Sequence, residues 1–123
     1  MKKLKDLEDG KILYKSHRAE PYFGFIKDGL KTIEGRIKKG LYTELKVGDE
    51  IQVFNNEETE SLMALVKDIR NYNSFEDLLN SEDIKKVLPN TDSVEEGVEI
   101  YREFYTEDQE NEFGVIAIEI ELV

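Results

Sequence analysis

The apolar positions of this 123-residue chain change period several times along its length. Over residues 114–122, Ile116, Ile118, Ile120 and Leu122 face one way, with Glu119 and Glu121 on the other, which predicts a strand. Residues 50–54 alternate in the same way, 55–58 read as a turn, and 61–69 form an apolar run long enough for another strand. Lys11-Ile12-Leu13-Tyr14 opens a strand nearer the N-terminus. A helical period appears at Val94, Val98, Tyr101 and Tyr105, with Phe104 extending the same face. Ser93 supplies the cap, so the pattern predicts a helix over 93–105. Ser74 and Asp77 repeat that cap signature before Leu78 and Leu79, and a second short helix over 81–88 stops at Pro89. Glu20-Pro21 starts a helix carrying Tyr22, Phe25 and Ile26, which Gly29 ends. Residues 1–10 are polar and lysine-rich, a frayed helix or tail. Strands and helices do not alternate as βαβ units. The pattern therefore predicts an α+β fold, a sheet or small barrel flanked by helices, in one domain over residues 1–123.

The stretch that stands out chemically is Gly29-Leu30-Lys31-Thr32-Ile33-Glu34-Gly35-Arg36. Residues 32–37 read as a strand. Alternation places Thr32, Glu34 and Arg36 on one face and Ile33 and Ile37 on the other. A hydroxyl, a carboxylate and a guanidinium in a row need water or a polar ligand beside them. Strict alternation sends Lys31 to the opposite face. It shares a site with Glu34 only if it lies in the turn before the strand or at a bulge.

Composition narrows the chemistry. With 39% hydrophobic residues, the chain can build a core beneath a heavily charged surface. It has no cysteine and one histidine, which leaves no thiolate chemistry and no basis for a transition-metal site or a cofactor. No apolar run approaches a membrane span and no signal-peptide core is visible, so a cytoplasmic protein is the expectation. The net charge of −11 is uneven. Residues 1–46 hold 12 basic and 7 acidic side chains, whereas residues 90–123 hold 1 and 11. An acidic chain repels nucleic acid at long range, so any contact with RNA is local and built from the first third.

Several residues carry a functional and a structural reading side by side. Lys31 is a phosphate or carbonyl binder, a low-pKa nucleophile, or a turn lysine in water. Glu34 accepts hydrogen bonds from a base, acts as a general base, or pairs with a neighbouring cation. Arg36 binds phosphate or orients Glu34. Tyr72 and Tyr105 are stacking candidates, although Tyr105 also fits the apolar face of its helix. His17 is a proton shuttle or an incidental surface residue. Lys38-Lys39 is a solvated loop that could steer phosphate. The acidic C-terminal third is a solvated face or a surface for a protein partner.

Taken together, Tyr22-Phe23-x-x-Ile26-x-x-Gly29-x-Lys31-Thr32-Ile33-Glu34-x-Arg36 resembles the signature of the ASCH domain family. Leu45-Lys46-Val47-Gly48-Asp49-Glu50-Ile51, Tyr72-x-Ser74-Phe75-x-x-Leu78-Leu79, Ile100-Tyr101-x-x-Phe104-Tyr105 and Gly114-Val115-x-Ala117-Ile118 extend the similarity over roughly residues 16–123. The resemblance implies a PUA-like fold, a small mixed β-barrel with peripheral helices and a cleft beside the signature. It also implies a module that binds RNA, a nucleotide or a modified nucleoside, with Lys31, Thr32, Glu34, Arg36, Tyr72 and Tyr105 as the ligand-binding set. Some small ASCH proteins are amidohydrolases of N4-acetylcytidine nucleosides that use a Lys and a Thr three residues later. Lys31 matches the first, but Glu34 stands at the second position, so Lys31 and Glu34 are the catalytic candidates if the chain is an enzyme. Ribonuclease activity, also attributed to some members, has no motif that maps here.

Overall fold

The computed structural model describes residues 1–123. Six strands form a single mixed sheet: β1 (Lys2–Asp6), β2 (Ile12–Arg18), β3 (Ile33–Ile37), β4 (Glu50–Asn55), β5 (Ser61–Tyr72) and β6 (Val115–Leu122). The order is β1-β2-β4-β5-β6-β3, with β2 and β4 parallel and every other pair antiparallel. The helices are α1 (Tyr22–Lys27), α2 (Phe75–Ser81), α3 (Ile84–Val87), α4 (Val94–Arg102) and α5 (Glu107–Phe113). The fold is α+β, as the alternating periods imply. The sheet is open, because its end strands β1 and β3 each pair on one side only.

Two apolar clusters lie on opposite faces of the sheet. Tyr14, Ile51, Val53, Val66, Ile116, Ile118 and Ile120 fill one, with Phe23 and Ile26 of α1 packed against them. Ile33, Ile37, Val115 and Ala117 face the other, beneath Phe75, Leu78, Leu79 and Tyr101 from the helices. The first half of β6 is thus buried on both faces, and its Glu119 and Glu121 emerge only where the helical layer ends. Helices α2 and α4 approach closely because Gly97 has no side chain: a Cβ there would lie 2.6 Å from Leu79 Cδ1.

The sheet is strongly curled. Four strand spacings of about 4.8 Å would hold β2 and β3 about 19 Å apart in a flat sheet. Yet Arg18 at the end of β2 donates from Nε to Glu34 Oε1 of β3 at 2.7 Å. The curl brings the two strands face to face, and the ion pair spans the gap that hydrogen bonds do not close.

Three local expectations are corrected, and one helix is added. Residues 1–10 are not a frayed helix or tail. Lys2–Asp6 is an edge strand on β2 with every residue exposed, and its lysines are what keeps such an edge from pairing further. The predicted helix over 81–88 is interrupted: α2 ends at Ser81, Asp83 caps a new turn, and only Ile84–Val87 is helical. The helix predicted over 93–105 ends at Arg102, so Tyr105 lies beyond it. Residues 106–113, too polar to show a period, form α5 with a Thr106–Gln109 capping box. Buried Glu110 ties α5 down, accepting from Phe75 N at 3.1 Å and from Arg102 Nη2 at 3.1 Å. The caps at Ser74 and Ser93 form as expected, accepting from the main-chain N–H of Asp77 and Glu96.

Phe75 is fully buried and lies between Tyr101 and Tyr105, with ring centroids 4.0 and 5.4 Å away. Phe75→Ala is expected to cost about 3–5 kcal/mol of stability in urea unfolding. Phe104→Ala, at a position 65% exposed, is expected to fall within about 0.5 kcal/mol of the parent.

Candidate functional site

A cleft of about 210 Å³ opens between the end of β2, the start of β3 and the C-terminal part of α4. Its polar lining is His17, Arg18, Lys31, Glu34 and Arg36. Its apolar wall includes Tyr22, Leu88, Ile100, Tyr101, Phe104 and Tyr105. Strand β3 starts at Ile33, so Lys31 lies in the turn before it and escapes the alternation that would have sent it to the other face. Glu34 and Arg36 point to the same side as their β6 partners Ile118 and Ile116, into the curl of the sheet. Arg18 arrives there because Tyr14, Ser16 and Arg18 form the inward-facing row of β2.

The polar groups are tightly organised. Lys31 Nζ donates to Ile33 O at 2.9 Å and also to Val87 O. Glu34 receives Arg18 Nε on Oε1, and Arg36 Nε approaches its Oε2 at 3.6 Å. Arg18 Nη1 donates to Ser16 Oγ and His17 O, and Arg36 Nη1 to the Tyr105 hydroxyl at 3.3 Å. Tyr101 reaches the floor of the cleft because residue 35 is glycine. A Cβ at Gly35 would lie 2.5 Å from its hydroxyl oxygen.

Burial and charge act on these groups in opposite senses. Burial would raise the Glu34 carboxyl, but Arg18, Lys31 and Arg36 outweigh it and hold the group at about 2. For Lys31 burial is the largest influence and pushes the ammonium down to about 8. Glu34 opposes the fall, and Arg18 and Arg36 add to it. Burial, reinforced by Glu34, pushes the Tyr101 phenol up. The cleft therefore holds one ionised carboxylate among three cationic side chains.

Of the ligand-binding set expected from the sequence, Lys31, Glu34, Arg36 and Tyr105 come together here. Thr32 and Tyr72 do not line the cleft. The main chain of Thr32 is held by Lys86 O and Ile120 N, and its side chain is not part of the lining. Tyr72 lies at the far end of β5, where its hydroxyl donates to Glu82 within a network around Arg70. It lines a separate shallow depression with Asn71, Asn73, Asp77, Asn80 and Ser81. Arg18, Tyr101 and Phe104 also line the cleft, beyond the residues expected from the sequence. Arg18 carries no local signal, because the row Tyr14, Ser16 and Arg18 has no apolar period and is inward only in the folded sheet. Phe104 extends the apolar helical period in the sequence, but it follows the last helical turn and stands exposed at the rim. His17 borders the cleft and is held by Glu58 Oε1 at 3.0 Å. No three acidic or His side chains converge on a point that could hold a metal ion. No helix is long and apolar enough to cross a membrane.

The profile of the ASCH domain matches residues 17–123. The chain belongs to the ASCH domain family. The family is PUA-like and is one thought to bind RNA. The ASCH chain is 40% identical to hypothetical protein PH0355, whose crystal structure superposes with a TM-score of 0.80 over 90% of this chain and 99% of that one. It is 37% identical to protein PF0455 from Pyrococcus furiosus, whose solution structure gives a TM-score of 0.73 over 90% and 97%. An ASCH domain from Lactobacillus crispatus is 13% identical, with a TM-score of 0.55 over 91% and 80%, a likeness of fold. No curated protein is significantly similar.

The charge balance of this ASCH cleft sets a pH dependence. Between pH 8 and pH 10 the folded chain has released the Lys31 proton that the unfolded chain, at 10.5, still binds. Stability is therefore expected to rise with pH across that window, by up to about 1.4 kcal/mol per pH unit from this group. Above 10 the raised Tyr101 phenol works in the opposite direction. Lys31→Met is expected to lack the rise. Parallel pH profiles for parent and variant in urea unfolding would contradict the assignment. Glu34 has the same sign in a lower window: its stabilising contribution is complete above 4.5 and is lost as the pH falls toward 2.

Proposed function

We propose that this ASCH domain is an RNA- or nucleotide-binding module that takes a base or a short single-stranded segment into the cleft beside Lys31, Glu34 and Arg36. The observation that carries this reading is the pairing of an aromatic wall with fixed charges. Tyr22, Phe104 and Tyr105 line the cleft with aromatic rings on which a base can stack, and Tyr101, buried against Phe75, closes its floor. Glu34, kept ionised by its neighbours, accepts hydrogen bonds from base N–H groups. Arg18, Lys31 and Arg36 meet phosphate or carbonyl oxygen. The volume of about 210 Å³ suits one ring system, being smaller than the roughly 300–1,000 Å³ of drug-sized pockets.

A second reading, an amidohydrolase acting on N4-acetylcytidine-like nucleosides, is favoured by one observation. With its ammonium lowered to about 8, Lys31 is partly unprotonated near neutral pH and has a nucleophilic form. Two features weigh against it. Lys31 Nζ is committed to two carbonyl oxygens, and Glu34 is too acidic to be an effective general base at pH 7. Incubation with N4-acetylcytidine and with RNA separates the readings, since binding without product supports the module and release of acetate or cut RNA supports an enzyme. A folded chain that binds neither would leave the acidic C-terminal face, as a protein-interaction surface, as the better reading.

Removing one stacking face typically costs about 1–3 kcal/mol per base. Phe104→Ala is therefore expected to weaken binding of a short RNA or nucleotide about 5- to 150-fold, with the fold unharmed. Lys2→Ala, on the exposed edge strand, is expected to leave affinity unchanged. With one to three phosphates met, the log–log salt slope is expected to be about −1 to −2, and a slope near −5 would indicate an extended track.

A further inference from the structure

The hydrogen bonds inside the cleft leave cationic donors unspent. Arg18 uses Nε and Nη1, which leaves Nη2 free. Arg36 uses Nη1 on Tyr105, which leaves Nη2 free, and its buried Nε has only the 3.6 Å approach to Glu34. Lys31 spends two of its three N–H groups. Three cations thus each keep a donor, while the one carboxylate among them cancels a single charge. The local surplus of two positive charges, largely withdrawn from water, matches a dianionic group with three acceptor oxygens. A phosphate monoester has that charge and that oxygen count near neutral pH. An internal phosphodiester of RNA carries one charge and offers two unesterified oxygens.

Outside the cleft the charge reverses. The rest of the chain is more acidic than the total of −11, since the cleft itself is positive. Exposed carboxylates adjoin the lining residues: Glu20 follows Ala19 and Glu103 precedes Phe104, whereas Glu58 beside His17 is already paired with Lys15. A strand leaving the cleft past Glu20 or Glu103 would lay its next phosphates against those carboxylates. A single nucleotide would not.

We propose that the ligand of this cleft is a single nucleotide carrying its own phosphate monoester, held by Arg18, Lys31 and Arg36, and not an internal segment of an RNA chain. This rests on the reading of the cleft as a nucleotide site and narrows its ligand. The test uses the intact protein and isothermal titration at low salt. Four ribonucleoside 5′-monophosphates are compared with the four matching nucleosides, a 5′-hydroxyl tetraribonucleotide and inorganic phosphate. At least one monophosphate is expected to bind tenfold or more tightly than its nucleoside, the tetranucleotide and inorganic phosphate. In Lys31→Gln, with the fold checked by circular dichroism, the gap between monophosphate and nucleoside is expected to shrink. A nucleoside or tetranucleotide binding as tightly as the best monophosphate would overturn the proposal while leaving the cleft a nucleotide or RNA site. Inorganic phosphate binding as tightly would overturn it in favour of a plain anion site. Binding of none of them would overturn both the proposal and the nucleotide reading.

Discussion

The buried ion pair between Arg18 and Glu34 is the constraint on which the site depends. It joins β2 to β3 across the one gap in the sheet that no main-chain hydrogen bonds close. Its side chains are only 9% and 8% exposed, so both charges have been taken out of water. Such a pair is costly to bury and costlier to break, because removing one member strands the other. Here the burial is met by neighbours. Arg36 stands on the second oxygen of Glu34, and Ser16 and the His17 carbonyl accept from Arg18. The result is a rigid charged floor in a cleft whose remaining walls are aromatic.

The same floor explains why an acidic protein keeps a cationic pocket. A chain of −11 gains nothing from a broad basic surface, and this one has none in its C-terminal third. Three of its 17 basic side chains meet inside the curl, where field lines are focused and solvent screening is weak. Gly35 serves this geometry too. By lacking a side chain it lets Tyr101 close the floor beside Glu34, and the Tyr101–Phe75–Tyr105 stack then positions the hydroxyl that meets Arg36. Core packing and cleft chemistry are therefore the same contacts seen from two sides.

Much of this was legible in the sequence wherever a local period governs. Residues 114–122 and 50–54 alternate and are strands, and the Ser74 and Ser93 caps are readable from three-residue spacings. The charged cluster of Lys31, Glu34 and Arg36 announces itself within six residues. What was not legible depends on distant partners. The strand at Lys2–Asp6 has no apolar alternation of its own and exists because β2 offers it an edge. Helix α5 is polar up to its last residue, and it is held by the buried carboxylate of Glu110 and by Phe113 against the second apolar cluster. Arg18 enters the site only because the sheet curls, which no window of a few residues encodes. Tyr72 leaves the site for a similar reason, as its hydroxyl is claimed by Glu82 ten residues later. Phe104 and Tyr105 follow a helix that stops at Arg102, so the face they appeared to share was broken by the end of the helix itself.

The central claim is that Arg18 and Glu34 act as one unit that holds the cleft. A double-mutant cycle with Arg18→Met, Glu34→Gln and the combined variant, read by urea unfolding, tests it most directly. The account predicts that Arg18→Met, which takes from the buried Glu34 carboxylate its direct hydrogen bond and leaves it facing the charges of Arg36 and Lys31, costs about 1.5–3 kcal/mol. It further predicts that the double variant costs clearly less than the two single costs added together, with a coupling of about 1–3 kcal/mol. Costs that add without coupling would contradict it, because they would mean that the two charges sit beside each other without holding the sheet together.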